Sequence, residues 1–229
     1  MPRLPPRAVP HVESSMTTAR DLMITAIAAE PEHPVPHGEL SLALAGAELL
    51  DLLADETVVL DGDRIVPRLR VPNADLLLEQ AGAALVDSPP YESVEDWLWR
   101  RGRDLASAYL AAFEEDGQLT RQRHRLPFRS GNVTLADTPD RRAAEARRAA
   151  GEPVLAGLAA AAGVRDAGAV GDPAGAADAV AEPVADGAVP RDPADIVLAA
   201  VGDAATELKA VRQRRDIEQA AYDNIWRGV

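Results

Sequence analysis

The chain contains no cysteine, which excludes disulfides, thiol catalysis and thiolate metal sites. Lysine is nearly missing as well. Lys209 is the only one, and no glycine-rich loop precedes it, so the motif that grips phosphate with a loop and a lysine is absent. Aromatic residues make up 3% of the sequence. A core must then be assembled from Leu, Val, Ile and Ala, and small side chains let helices approach closely, which favours helix-on-helix packing. No apolar run reaches the roughly 18–20 residues needed to span a bilayer. The N-terminus carries Arg3 and Arg7 but no apolar stretch of signal-peptide length, so a cytoplasmic protein is expected. Cations are outnumbered, 24 Lys and Arg against 37 Asp and Glu, for a net charge of −13. That balance argues against a globally basic nucleic-acid binder.

What is present suits one domain with tails: 229 residues, 47% of them hydrophobic. Residues 1–16, rich in proline, read as a disordered lead, and Met16 before Thr17-Thr18 offers an alternative start. A helix is predicted from Thr18, with Leu22, Met23, Ala26 and Ile27 on one face. Gly38 to Ala54 is the strongest helix in the chain. Leu40, Leu44, Ala47 and Leu50 form one row, and Leu42, Leu49, Leu52 and Leu53 widen it, so this helix is buried on most sides. Gly46 in its middle costs about 1 kcal/mol against Ala, which implies a closely packed neighbour.

Val58-Val59-Leu60 and Arg64-Ile65-Val66 flank Asp61-Gly62, a signal for a two-residue hairpin turn. Another helix is predicted from Pro72-Asn73. Ser93-Val94-Glu95-Asp96 resembles a capping box and opens a segment with Trp97, Leu98 and Trp99, whose apolar face continues through Leu105, Tyr109, Leu110 and Phe113 to Gly117. A second hairpin is centred on Ser130-Gly131-Asn132, and Thr138-Pro139 starts a further helix. Val154 to Ala162 reads as a short helix. Residues 166–193 read as an Ala/Gly/Pro-rich linker, and residues 194–229 as a C-terminal helix packing back on the domain, capped by Asp192 or Asp195.

The charge is unevenly spread. Residues 1–96 hold 6 basic and 17 acidic side chains, net −11; residues 97–149 hold 11 and 7, net +4; residues 150–229 hold 7 and 13, net −6. The positive island contains Arg121, Arg123, Arg125 and Arg129 with His124, and no carboxylate lies between Gly117 and Ala136. On a strand, Arg121, Arg123 and Arg125 share a face. Such a row suits an anionic surface, and equally a solvated edge strand whose charges prevent edge-to-edge pairing. Arg141, Arg142, Arg147 and Arg148 follow on the helix after Thr138, where the N-terminal amides would help to hold a phosphate; four exposed arginines also serve solubility alone.

Motifs of catalysis fail in turn. There is no Gly-x-Gly-x-x-Gly and no Gly-x-Ser-x-Gly. Asp51, Asp61 and Asp63 are close in sequence, but a turn explains the last two. His33 and His37 are four apart yet lie among prolines, with Glu39 the only nearby acid, so no metal is expected. The chain reads as a non-enzyme without cofactors.

Several segments, taken in order, resemble the Golgi phosphoprotein 3 family, as a bacterial-type member. Residues 40–53, LSLALAGAELLDLL, resemble its buried helix with a central glycine, here Gly46, and an E-L pair. The Val58–Val66 hairpin follows. Val94-Glu95-Asp96-Trp97-Leu98 resembles its V-x-x-W-[IL] helix, and Leu105 to Thr120 its long helix ending in a glycine and a β-hairpin, before a helix containing Pro and Arg. The resemblance covers residues 17–165.

It implies a mainly α fold, a helical bundle core wrapped by amphipathic helices, with two small β-hairpins. It also implies a peripheral membrane protein, since eukaryotic members bind phosphatidylinositol 4-phosphate and retain glycosyltransferases. Alignment on Gly46 puts Pro36 at the position of the family's lipid-pocket Trp and Ala45 at that of its Arg. The second hairpin reads Arg-His-Arg-Leu-Pro-Phe-Arg, with Leu126 and Phe128 for membrane contact. The expected partner is therefore an anionic lipid or phosphoinositide-like headgroup at the inner face of the membrane, together with a possible protein client, held by Arg121, Arg123, Arg125, Arg129, Arg141, Arg142, Arg147 and Arg148. The alternative is a soluble protein–protein interaction module that has lost lipid binding.

Overall fold

The computed structural model describes residues 17–29, 35–69, 72–121, 133–164 and 191–227. The expected lead (1–16), His33, Arg123 to Arg129 and most of the expected linker lie outside the described residues. The described chain is mainly helical: α1 Thr18–Ala28, α2 His37–Ala54, β1 Val58–Asp61, β2 Arg64–Pro67, α3 Leu76–Ala83, α4 Val94–Arg101, α5 Leu105–Glu115, β3 Leu119–Arg121, β4 Val133–Leu135, α6 Pro139–Ala149, α7 Pro153–Ala162 and α8 Pro193–Arg227.

Helix α2 is the axis of the fold. Every residue from Glu39 to Leu50 is buried, because α1, α3, α4, α5, α7 and α8 all pack against it. A helix apolar on all faces has no other stable place in water. Gly46 sits where three of these neighbours converge. A Cβ there would fall inside the van der Waals sphere of Val201 on α8 and lie 3.6 Å from Leu158 on α7 and 3.7 Å from Leu98 on α4. The glycine thus gives up helix propensity to let α8 approach.

Polar atoms tie the neighbours to α2 at fixed heights. The Trp97 indole donates to the Ala45 carbonyl at 3.0 Å, and the Ala106 amide at the start of α5 donates to Ser41 Oγ at 3.1 Å. Tyr109 and Phe113 on α5 are fully buried beside them.

Three local expectations shift, and one open alternative is resolved. In the first hairpin Asp61 pairs with Arg64, so the two-residue loop is Gly62-Asp63 rather than Asp61-Gly62. Gly62 supplies the positive φ (+62°) that this first loop position requires. Helix α3 begins at Leu76 instead of Pro72-Asn73, because the Asp75 side chain accepts from the Leu77 and Leu78 amides and caps the helix there. The apolar face from Trp97 to Phe113 belongs to two helices, broken between Arg101 and Leu105 with Asp104 in a left-handed conformation. Of the two candidate caps for α8, Asp192 is the one used, accepting from the Ala194 amide at 3.0 Å.

Candidate functional site

The basic residues singled out by sequence fall in two places. The first is the β3–β4 hairpin. Arg121 closes β3 and pairs with Val133 of β4; Arg123, Arg125, Arg129, Leu126 and Phe128 lie outside the described residues. The second is α6, whose cap is as expected: Thr138 Oγ1 accepts from the Arg141 amide at 3.1 Å, with Pro139 in the first turn.

On α6 the arginines meet carboxylates of the same chain. Arg141 pairs with Glu145 at 2.7 Å and also donates to the Leu135 carbonyl. Arg142 makes a forked pair with Asp137, at 2.9 and 2.7 Å. The hydrogen bond and charge of Arg142 hold the Asp137 carboxyl below the usual carboxylate range. Arg147 reaches across to α1 and pairs with Asp21, which is 1% exposed, and with Glu152 at 3.2 Å. Arg148 is half-buried on the same helix. The N-terminus of α6 already carries acid, Asp140 in its first turn and Asp137 just before the cap, which answers the helix dipole that a phosphate would otherwise complement.

Arg147 is thus a packing residue as well as a cation, and it is one of four arginines that hold the body together. Arg101 forks onto Glu48 in the centre of α2, at 2.7 and 2.8 Å, where Tyr109 Oη also donates to the same carboxylate. Burial pushes the Glu48 carboxyl up, and Arg101 opposes the shift. Arg20 joins α1 to Asp75 and to Asp116. Arg212 joins α8 to Glu39 at 2.5 Å. None of these pairs was assigned from sequence. The signal available was Glu39 and Glu48 among the Leu and Ala of α2, since a buried carboxylate needs a cation.

A cavity of about 490 Å³ opens beside Arg147, between the start of α1, the C-terminal half of α2, β1 and the start of α8. It is lined by apolar residues such as Leu50, Val58 and Leu60, together with Asp51, Glu152 and Asp192. Asp51 accepts from the Thr18 and Ala19 amides at 2.9 and 3.2 Å and so caps α1 from a distance. Its burial pushes the carboxyl up to about 6, against those two hydrogen bonds. With Arg147 answered by two carboxylates and further acids in the lining, this cavity is unsuited to a lipid phosphate.

The family assignment rests on the whole of this body. The sequence profile of Golgi phosphoprotein 3 (GPP34) matches residues 19–208, from α1 into α8. The chain belongs to the Golgi phosphoprotein 3 family. No curated protein matches it. Ala45, the position the sequence reading sets against the family's pocket Arg, is fully buried on α2, and its carbonyl is taken by Trp97. Pro36 stands just before α2 as its N-cap residue. Among the described residues, no helix is long and apolar enough to cross a membrane.

Proposed function

We propose that this Golgi phosphoprotein 3 family member is a non-enzymatic peripheral protein that docks on anionic membrane lipid through the basic segment between β3 and β4. The observation that carries this reading is the antiparallel pairing of Arg121 with Val133. It brings together Arg121 and Val133, and the sequence between them holds Arg123, Arg125 and Arg129, the apolar Leu126 and Phe128, and no carboxylate. Each cation close to an anionic bilayer is worth about 1 kcal/mol. The acids facing Arg141, Arg142 and Arg147 support the same choice, because they leave α6 the weaker of the two candidates. Without a polar side chain at positions 36 and 45, recognition follows surface charge more than a single headgroup, with phosphatidylinositol 4-phosphate one ligand among several.

Liposome co-sedimentation at two salt concentrations tests this. Vesicles of neutral lipid, phosphatidylglycerol, cardiolipin and phosphatidylinositol 4-phosphate are compared, with Arg121, Arg123 and Arg125 changed to Glu in a second protein. The expected result is pelleting with every anionic vesicle at low salt, weakened at high salt and lost in the variant. No pelleting with any anionic lipid at low salt sinks the proposal and leaves the soluble interaction module. Pelleting with phosphatidylinositol 4-phosphate alone rejects the charge-only mechanism.

A further inference from the structure

The core-facing stripe of α8 continues past the body that it packs on. Val197, Val201 and Ala204 are buried, and Leu208 packs beside Gly38 at the start of α2. The same alternation of three- and four-residue steps then runs on through Val211, Arg215, Glu218 and Tyr222, which keeps these positions on one face. Here the face is exposed to solvent. Val211 is 39% and Tyr222 58% exposed, Arg215 and Glu218 are exposed as well, and among the described residues neither of these two charges makes an ion pair. The family match ends at Leu208, so this stretch lies beyond the matched region.

We propose that a second copy of this chain covers it, the two α8 helices pairing antiparallel with Val211 opposite the partner's Tyr222 and Arg215 opposite the partner's Glu218. The sequence of the stripe is self-complementary in that register. A two-fold axis between Asp216 and Ile217 sets position 211 against 222 and position 215 against 218, giving two ion pairs at the centre and an apolar layer on each side. The spacing also places an a-type position against a d-type one in every layer, as antiparallel coiled coils require. A parallel pair would set Arg215 against Arg215 and Glu218 against Glu218, and like charges face to face oppose association. An anionic bilayer repels Glu218 in the middle of the stripe, whereas a second copy answers it with Arg215. With few layers, the dimer is weak and forms in a concentration-dependent way.

Sedimentation velocity on the full chain across a concentration series is expected to show monomer and dimer in exchange. Arg215→Glu or Glu218→Arg alone weakens the dimer about tenfold or more, since each sets like charges together twice. The double variant Arg215→Glu/Glu218→Arg restores the wild-type dissociation constant. The chain has no cysteine, so register is read directly. A mixture of Val211→Cys and Tyr222→Cys proteins forms a disulfide-linked pair, while Val211→Cys alone does not, its two copies lying about 16 Å apart along the helices. A monomer at every concentration overturns the proposal. So does a dimer indifferent to the charge variants, or a Val211→Cys self-crosslink.

Discussion

The contact between Gly46 and Val201 makes a substitution that helix propensity favours into one that the fold resists. Gly46→Ala gains about 1 kcal/mol as an isolated helix residue. In this fold the new methyl falls on Val201 Cγ2, which is fully buried and belongs to a β-branched side chain held in one rotamer on a helix. Overpacking of that kind costs about 1–3 kcal/mol, so the net effect is a loss of up to ~2 kcal/mol, or several degrees in melting temperature for a chain of this size. Val201→Ala alone leaves a cavity and costs about 1–3 kcal/mol. The two methyl changes compensate in space, and the double variant is expected to be more stable than the sum of the singles by about 1–3 kcal/mol. Urea unfolding followed by far-ultraviolet circular dichroism measures all four proteins, and limited proteolysis reports whether α8 stays docked. A Gly46→Ala protein more stable than wild type, or strict additivity in the cycle, would refute the claim that α8 sets the glycine.

Two other perturbations separate structural from surface charge. Arg147→Gln leaves Asp21 buried and unpaired and is expected to cost about 2–4 kcal/mol, partly restored by adding Asp21→Asn, whereas Arg142→Gln on the exposed pair leaves the denaturant midpoint essentially unchanged; denaturant midpoints decide between them. Asp51 gives a pH signature. Its folded carboxyl sits at about 6 against an ordinary value of 3.8, so the folded state holds the extra proton between those values. The stabilisation is complete below pH ~4 and is lost as pH rises to about 6, by up to ~3 kcal/mol. The stability difference between wild type and Asp51→Asn, measured across that range, should fall with rising pH; a flat difference contradicts the assigned environment.

How much of this was legible in the sequence depends on how local each feature is. The apolar period of α2 and the Thr138-Pro139 start of α6 are written in adjacent residues and appear where expected. Even the cost of Gly46 pointed to a close neighbour, although only the fold names Val201. The break between α4 and α5 was hidden because Trp97, Leu105 and Tyr109 all face the core, so the apolar pattern runs across the gap. The ion pairs were hidden for a different reason. Asp21 and Arg147 are separated by most of the domain, and no periodicity links them. A run of arginines near a helix start reads as an anion site until the chain brings its own carboxylates to it.

That exchange of partners changes the meaning of the charge map. The net +4 of residues 97–149 seemed divided between the hairpin and α6. With Arg141, Arg142 and Arg147 each facing an acid, the excess positive charge gathers on the sequence around Arg121 to Arg129, while an anionic surface of the kind proposed for this segment would repel the acidic remainder of the chain. On the proposed docking, orientation on a bilayer follows from the chain's own polarity, without a headgroup pocket. Pairing through α8 adds a further consequence. A dimer brings two basic segments to one vesicle, and the second contact is made at the high effective concentration set by the first. Binding should therefore steepen with the density of anionic lipid. Arg215→Glu, a change on α8 outside the hairpin sequence, should lower that steepness to the shallower dependence of a single segment, and Arg215→Glu/Glu218→Arg should recover it. If the single variant binds vesicles as steeply as the wild-type chain, dimerisation and membrane contact are independent properties of the molecule.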